Sequence, residues 1–180
     1  MGLLFPNTPD VLTDDCADLA IALLLSSMRQ VCAADRYVRK SCWPKLGQYP
    51  PHMSGKRLGG VRLGRIGMAV AKRAEAFSCR ISYFARLEKS GGPYKFYATI
   101  LELANNSDML VLTYALTNET THIVGRKVLD ALGPEVSLVA ISHMKSGCAL
   151  HSKGILPKDM FKVACTAVVN GGWKGTCLGV

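Results

Sequence analysis

Between Lys56 and Phe84 the chain spells out a strand, a turn, a helix and a second strand in one short stretch. Leu58 to Leu63 is short and apolar and runs into glycine. Ile66, Met68, Ala69, Val70, Ala74 and Phe77 then suit a helix packed on a sheet, and Ile81 to Phe84 is again a short apolar run. Two parallel strands cannot be joined by a hairpin; they need a crossover, and a helix of this length supplies one. The same alternation continues downstream. A loop with Gly91, Gly92 and Pro93 leads to a short helix around Thr99 to Asn105, then to a buried strand at Met109 to Leu112. A helix at Arg126 to Leu132 is closed by Gly133-Pro134, and Val136 to Ile141 is a further strand. The pattern predicts an α/β fold: a Rossmann-type, doubly wound parallel sheet with helices on both faces.

Upstream, Cys16, Leu19, Ala20, Leu23, Leu24, Met28 and Val31 recur at threes and fours, the stripe of an amphipathic helix. The spacing predicts one long helix over Thr13 to Lys40, capped by Thr13, with Asp14, Asp15 and Asp18 near its positive end and Arg36, Arg39 and Lys40 near its negative end. It is long and apolar enough to pack on a core or to join two chains as a dimer. A loop from Cys42 to Gly55 follows, with Trp43 and prolines 44, 50 and 51. After Ser142, glycines 147, 154, 171, 172, 175 and 179 break up the pattern, and Phe161 to Val169 suits a strand or a helix equally. The chain is therefore divided into a leading segment, 1–55, a doubly wound core, 56–141, and a diverged, irregular C-terminal segment, 142–180.

Cysteine usage and charge exclude several classes. The seven cysteines never stand as Cys-x-x-Cys, and the four histidines do not join them at zinc-ligand spacing, so no metal site is expected. An odd number of unpatterned thiols suits a reducing compartment, most simply the cytosol. The longest apolar run, Leu19 to Met28, is too short to span a bilayer, and Met1 to Pro6 carries no basic signal-peptide start. The net charge is +9, and ten Lys and Arg lie between Arg36 and Arg73 without one acid. Such a run admits a nucleic-acid surface, but no stacked aromatics or basic recognition helix accompany it, so a solvated basic edge is favoured.

The strand-to-helix turn reads Arg62-Leu63-Gly64-Arg65-Ile66-Gly67. It would be Gly-x-Gly-x-x-Gly, the dinucleotide fingerprint, but for Arg62. In that fingerprint the first glycine makes the tight turn, the second lets backbone approach a pyrophosphate, and the third lets the helix pack closely on the strand. Two of the three remain, so Leu63, Gly64, Arg65, Ile66 and Gly67 are the candidate phosphate-binding residues. Arg62 has two readings: a Cβ that strains and crowds the turn, or a guanidinium that meets a phosphate. The first is favoured, because the motif works through backbone amides. An acid at the end of the second strand would mark NAD, and a cation NADP. Here Phe84-Ala85-Arg86 is followed by Lys89, so Arg86, assisted by Lys89, favours NADP.

Several stretches together resemble the D-isomer-specific 2-hydroxyacid dehydrogenases, in the plant-type hydroxyphenylpyruvate and hydroxypyruvate (glyoxylate) reductase branch. They are Asn7-Thr8-Pro9-Asp10-Val11-Leu12-Thr13-Asp14-Asp15, Ala17-Asp18-Leu19-Ala20, Ser54-Gly55-Lys56-Arg57, Leu63 to Gly67, and Leu116-Thr117 with Glu119 to His122. Ile81 to Phe84 and Asp130 to Pro134 support that branch. The resemblance is dense from Asn7 to Val139 and faint afterwards. It implies an NAD(P)H-dependent reduction of a 2-oxo acid, and it adds Leu116 and Thr117 to the cofactor-binding residues.

The same resemblance implies a substrate-binding arginine, a proton-donating histidine and a glutamate that orients it. His143 stands at the arginine's position, and a neutral imidazole cannot offer the bidentate fork a carboxylate needs. The glutamate and histidine find no match in this chain. The sequence therefore predicts one coenzyme domain that is inactive by itself, with NADP preferred over NAD and binding weakened by Arg62. The competing expectations are a non-catalytic, dimerising relative of such enzymes and a basic nucleic-acid-binding α/β domain.

Overall fold

A computed structural model describes residues 12–40, 52–89, 91–114, 123–133 and 137–141 with their side chains (Ala33 by its backbone alone), and residues 162–169 and 172–179 by their backbone. In chain order the elements are α1 (Thr13–Met28), α2 (Val31–Arg39), β1 (Arg57–Val61), α3 (Arg65–Glu75), β2 (Arg80–Phe84), β3 (Lys95–Tyr97), α4 (Ile100–Asn105), β4 (Met109–Leu112), α5 (Arg126–Leu132), β5 (Ser137–Ile141), β6 (Lys162–Val169) and β7 (Gly172–Gly179). One sheet contains all seven strands in the order β3-β2-β1-β4-β5-β6-β7. Every pairing is parallel except β6 with β7. The chain thus winds outward from β1 in one direction and then from β4 in the other, leaving a switch point between their C-terminal ends.

The alternation of side chains along each strand divides the core in two. Leu58, Met109, Val111, Val139 and Ile141 pack with α1 and α3 on one face. Val61, Leu110, Leu112, Leu138 and Ala140 pack with α4 and α5 on the other. The doubly wound expectation is therefore met, and α1 lies within the same core as the sheet. Arg73 of α3 fastens it there, reaching Asp14 at 2.9 Å and Asp18 at 2.5 Å. Inside, Ser27 and Ser137 meet through their hydroxyls at 3.3 Å. Among the described residues no helix is long and apolar enough to cross a membrane.

Four expectations need correction. The single helix over Thr13 to Lys40 is two helices, because Gln30 turns left-handed at φ 49° and α1 ends at Met28. The stripe stops with it: Met28 is 2% exposed and Val31, past the break, is 50% exposed. Thr13 does not cap α1 but is its first residue, after Leu12. The Gly91-Gly92-Pro93 loop leads into β3, a three-residue edge strand too short to show a period. The irregular C-terminal segment contains two eight-residue strands, β6 and β7, and of the undecided stretch from Phe161 to Val169 the described part, Lys162–Val169, is a strand. β6 pairs with β5 and the glycine-rich β7 pairs with β6, ladders that backbone groups can make whatever the glycine content.

Candidate functional site

β1 ends at Val61 and α3 begins at Arg65, so three residues make the whole turn at the switch point. Arg62 takes a left-handed backbone, φ 66°. Its N–H donates to the Phe84 carbonyl at 2.8 Å. Its own carbonyl accepts the Thr113 hydroxyl at 2.5 Å. Leu63 turns inward, 3% exposed, and packs with Ala71 and Tyr83. The Cβ of Arg62 therefore strains the turn, since Arg62 occupies the region that glycine adopts freely.

The two remaining glycines do different work. A Cβ on Gly67 would lie 2.7 Å from the Arg62 carbonyl oxygen and 2.7 Å from Thr113 Oγ1, so the first turn of α3 packs tightly against the strand ends. Among the described residues a Cβ on Gly64 would meet nothing within 4 Å, and Gly64 is exposed. Packing does not require glycine at position 64; it leaves open space in front of the helix N-terminus. Among the described residues no side chain caps that terminus. The first-turn amides of a helix have no intrahelical acceptor and carry the positive end of its dipole, so they face the opening ready for an anion.

Cations surround the opening. Arg65, the first residue of α3, is exposed, and Ile66 behind it packs on the core. The Arg62 guanidinium has no hydrogen-bond or ion-pair partner among the described residues. Beyond β2, Arg86 is exposed. The Lys89 N–H donates to the Tyr83 hydroxyl at 2.9 Å, and its ammonium donates to the Leu63 carbonyl. Lys89 therefore ties the loop after β2 to the turn after β1. Leu116, Thr117 and His143 lie outside the described residues, as do Trp43 and His122.

The basic run from Arg36 to Arg73 does not form one free surface. Arg39 pairs with Asp35 at 2.9 Å, Arg57 with Asp108 at 2.7 Å, and Arg73 with Asp14 and Asp18. Asp35 stands one residue before the run on the same helix as Arg39, whereas Asp14, Asp18 and Asp108 are distant in sequence and reach Arg73 and Arg57 through the fold. Sequence reasoning missed Thr113. The only trace of it was a hydroxyl residue directly after the apolar strand Met109 to Leu112, and no motif marks that position.

Sheet order, switch point, open glycine and uncapped helix together define a doubly wound nucleotide-binding domain. The family to which it belongs is the D-isomer specific 2-hydroxyacid dehydrogenases: the description of their NAD binding domain matches residues 21–145, and the chain is a member through that domain. Its relatives include a hydroxyphenylpyruvate reductase of Plectranthus scutellarioides, 54% identical over 142 residues, covering 78% of this chain and 45% of the relative. A glyoxylate/hydroxypyruvate reductase A of Arabidopsis thaliana is 52% identical over 142 residues, with the same coverage. Among solved structures, an NADPH-dependent glyoxylate/hydroxypyruvate reductase from Sinorhizobium meliloti, in complex with NADP and malonate, superposes with a TM-score of 0.77 at 32% identity. It covers 91% of this chain and 53% of its own. The chain spans about half the length of the curated relatives it matches.

Proposed function

We propose that this chain is the coenzyme-binding part of an NADPH-dependent 2-oxo acid reductase, of the hydroxypyruvate, glyoxylate or hydroxyphenylpyruvate type. The observation that carries the proposal is the open space at Gly64 in front of the uncapped α3. The backbone amides of Gly64, Arg65 and Ile66 would hold the pyrophosphate, with Leu63 and Gly67 setting the distance between turn and helix. When bound, the reduced nicotinamide supplies the hydride for C2 of the oxo acid. Leu116 and Thr117 are assigned to the cofactor by family resemblance, and the names of the relatives support the substrate class.

The preference for NADPH rests on charge. Arg86 contacts the 2′-phosphate and Lys89, already held at the turn, assists. An acid at the end of β2 would instead accept from a free 2′-hydroxyl, and none stands there. Full activity requires the carboxylate-binding arginine, the proton donor and its glutamate, so this chain alone turns over no hydroxypyruvate. By its sequence we divide the chain into a leading segment, 1–55, a core, 56–141, and a C-terminal segment, 142–180. The free thiols Cys16, Cys32 and Cys79 suit the cytosol.

The test is thermal stabilisation of the chain by NADPH and NADH side by side. NADPH should stabilise more, and Arg86→Asp should weaken NADPH by about tenfold or more while changing NADH little. Equal loss for both cofactors would remove Arg86 from the ribose, and no stabilisation by either would end the proposal.

A second reading concerns assembly. Val31 and Val38 of α2 are 50% and 51% exposed, so α2, rather than the buried α1, is the part of residues 13–40 suited to join another chain. A dimerising, non-catalytic relative would use the same surface. If so, Val38→Asp shifts the oligomeric state in sedimentation; an unchanged state rejects the α2 interface.

A further inference from the structure

Arg62 keeps a left-handed backbone that glycine enters freely and a residue with a Cβ does not. Nothing in an arginine favours it, so the conformation is held from outside. The Arg62 N–H is bonded to Phe84 of β2, and its carbonyl accepts the Thr113 hydroxyl at 2.5 Å. Thr113 is itself fixed: its N–H donates to the Val61 carbonyl at 3.3 Å, continuing the ladder between β1 and β4. The same hydroxyl and the Arg62 carbonyl both stand 2.7 Å from where a Gly67 Cβ would be. The three groups therefore fit against one another at the root of α3.

We propose that Thr113 is a positioning residue for dinucleotide binding: its hydroxyl clamps the Arg62 carbonyl and imposes on the turn the shape that a glycine in place of Arg62 would adopt unaided. The inference rests on reading this turn as the phosphate site. Thr113 touches no ligand. It acts through the Arg62 carbonyl, whose direction decides where the next peptide units and the first amides of α3 point. Without the hydroxyl, Arg62 can relax toward negative φ, and the turn loses the preorganisation that makes backbone amides an effective anion site.

The experiment compares Thr113→Val, which keeps shape and loses the hydroxyl, with Thr113→Ser, which keeps the hydroxyl. Each is made in the full chain with Arg62 and with Arg62→Gly, and NADPH affinity and the thermal midpoint are measured for all. With Arg62 present, Thr113→Val should weaken NADPH roughly three- to tenfold and lower the midpoint by about 2–4 °C, and Thr113→Ser should restore most of both. With Arg62→Gly, Thr113→Val should lose much less affinity, since glycine needs no clamp. Equal loss in the two backgrounds, no loss at all, or no rescue by serine would overturn the role of Thr113 while leaving the site as read. Absence of NADPH binding by the unaltered chain and by Arg62→Gly would overturn both the site and the clamp.

Discussion

β1 is five residues long, and its two ends are chemically opposite. At the start, Arg57 and Asp108 satisfy each other: the Arg57 N–H donates to Asp108 Oδ2 at 2.9 Å, and the guanidinium reaches Oδ1 at 2.7 Å. The Asp108 N–H in turn donates to the Arg57 carbonyl at 2.9 Å. At the finish, the first turn of α3 is uncapped, Gly64 faces open space and the Arg62 guanidinium has no partner among the described residues. One end closes on itself and fixes the register of β1 against β4. The other leaves amide donors and positive charge facing solvent, where an anion can be received. The comparison teaches that a strand of this sheet can be stabilised at one end so that strain and unpaired groups are tolerated at the other.

The contrast can be tested from its most severe consequence downward. Gly67→Ala should cost about 1–3 kcal/mol in denaturant unfolding and abolish NADPH binding, because the added methyl meets backbone as well as Thr113. Undiminished stability would mean that α3 can slide away from the turn. Arg62→Gly should raise stability by about 1–2 kcal/mol and tighten NADPH roughly tenfold, by removing the left-handed Cβ. Weaker binding instead, most marked at low salt, would show that the guanidinium pairs with a phosphate. Gly64→Ala should separate the two properties, with NADPH affinity falling about tenfold while the unfolding free energy stays within about 0.5 kcal/mol. A comparable loss of stability would contradict the open space seen there.

The smallest effect belongs to the closed end. Asp108→Asn should cost about 1 kcal/mol, since the pair is partly exposed to water, and should leave NADPH affinity unchanged. Hydrogen bonds from Arg57 hold the Asp108 carboxyl below its ordinary range. A carboxyl depressed in the folded state stabilises fully above its unfolded value and loses that contribution as pH falls through the folded one. The gap between the parent chain and Asp108→Asn should therefore be constant near neutrality and close below about pH 4. A gap that persists in acid would assign the stabilisation to packing instead.

Much of this organisation is legible in the sequence because it repeats. Met109 to Leu112 and Arg126 to Leu132 are found in the structure with the bounds their apolar patterns predict. Leu63 to Gly67 marks the turn because glycine spacing is a backbone requirement, written locally. The break at Gln30 was not legible, since neither glycine nor proline announces it and the apolar stripe continues one residue further. β3 was hidden because three residues at a sheet edge show no alternation, and its identity comes from pairing with Ser82 to Phe84.

The sequence by itself determined the parallel strands, the glycine turn and the cations beyond β2, because each depends on residues close together along the chain. Only the tertiary structure decided which glycine opens the site and which packs it, since Gly64 and Gly67 differ only in what surrounds them. It also decided which arginines are already neutralised, because Asp14, Asp18 and Asp108 reach Arg73 and Arg57 across the fold. The placement of Thr113 against Arg62, 51 residues apart, belongs to the same class. The contacts of Thr113 with Arg62 and of Asp108 with Arg57 arise from the register of β1 on β4, and a one-residue slip would erase them without changing a letter of the sequence.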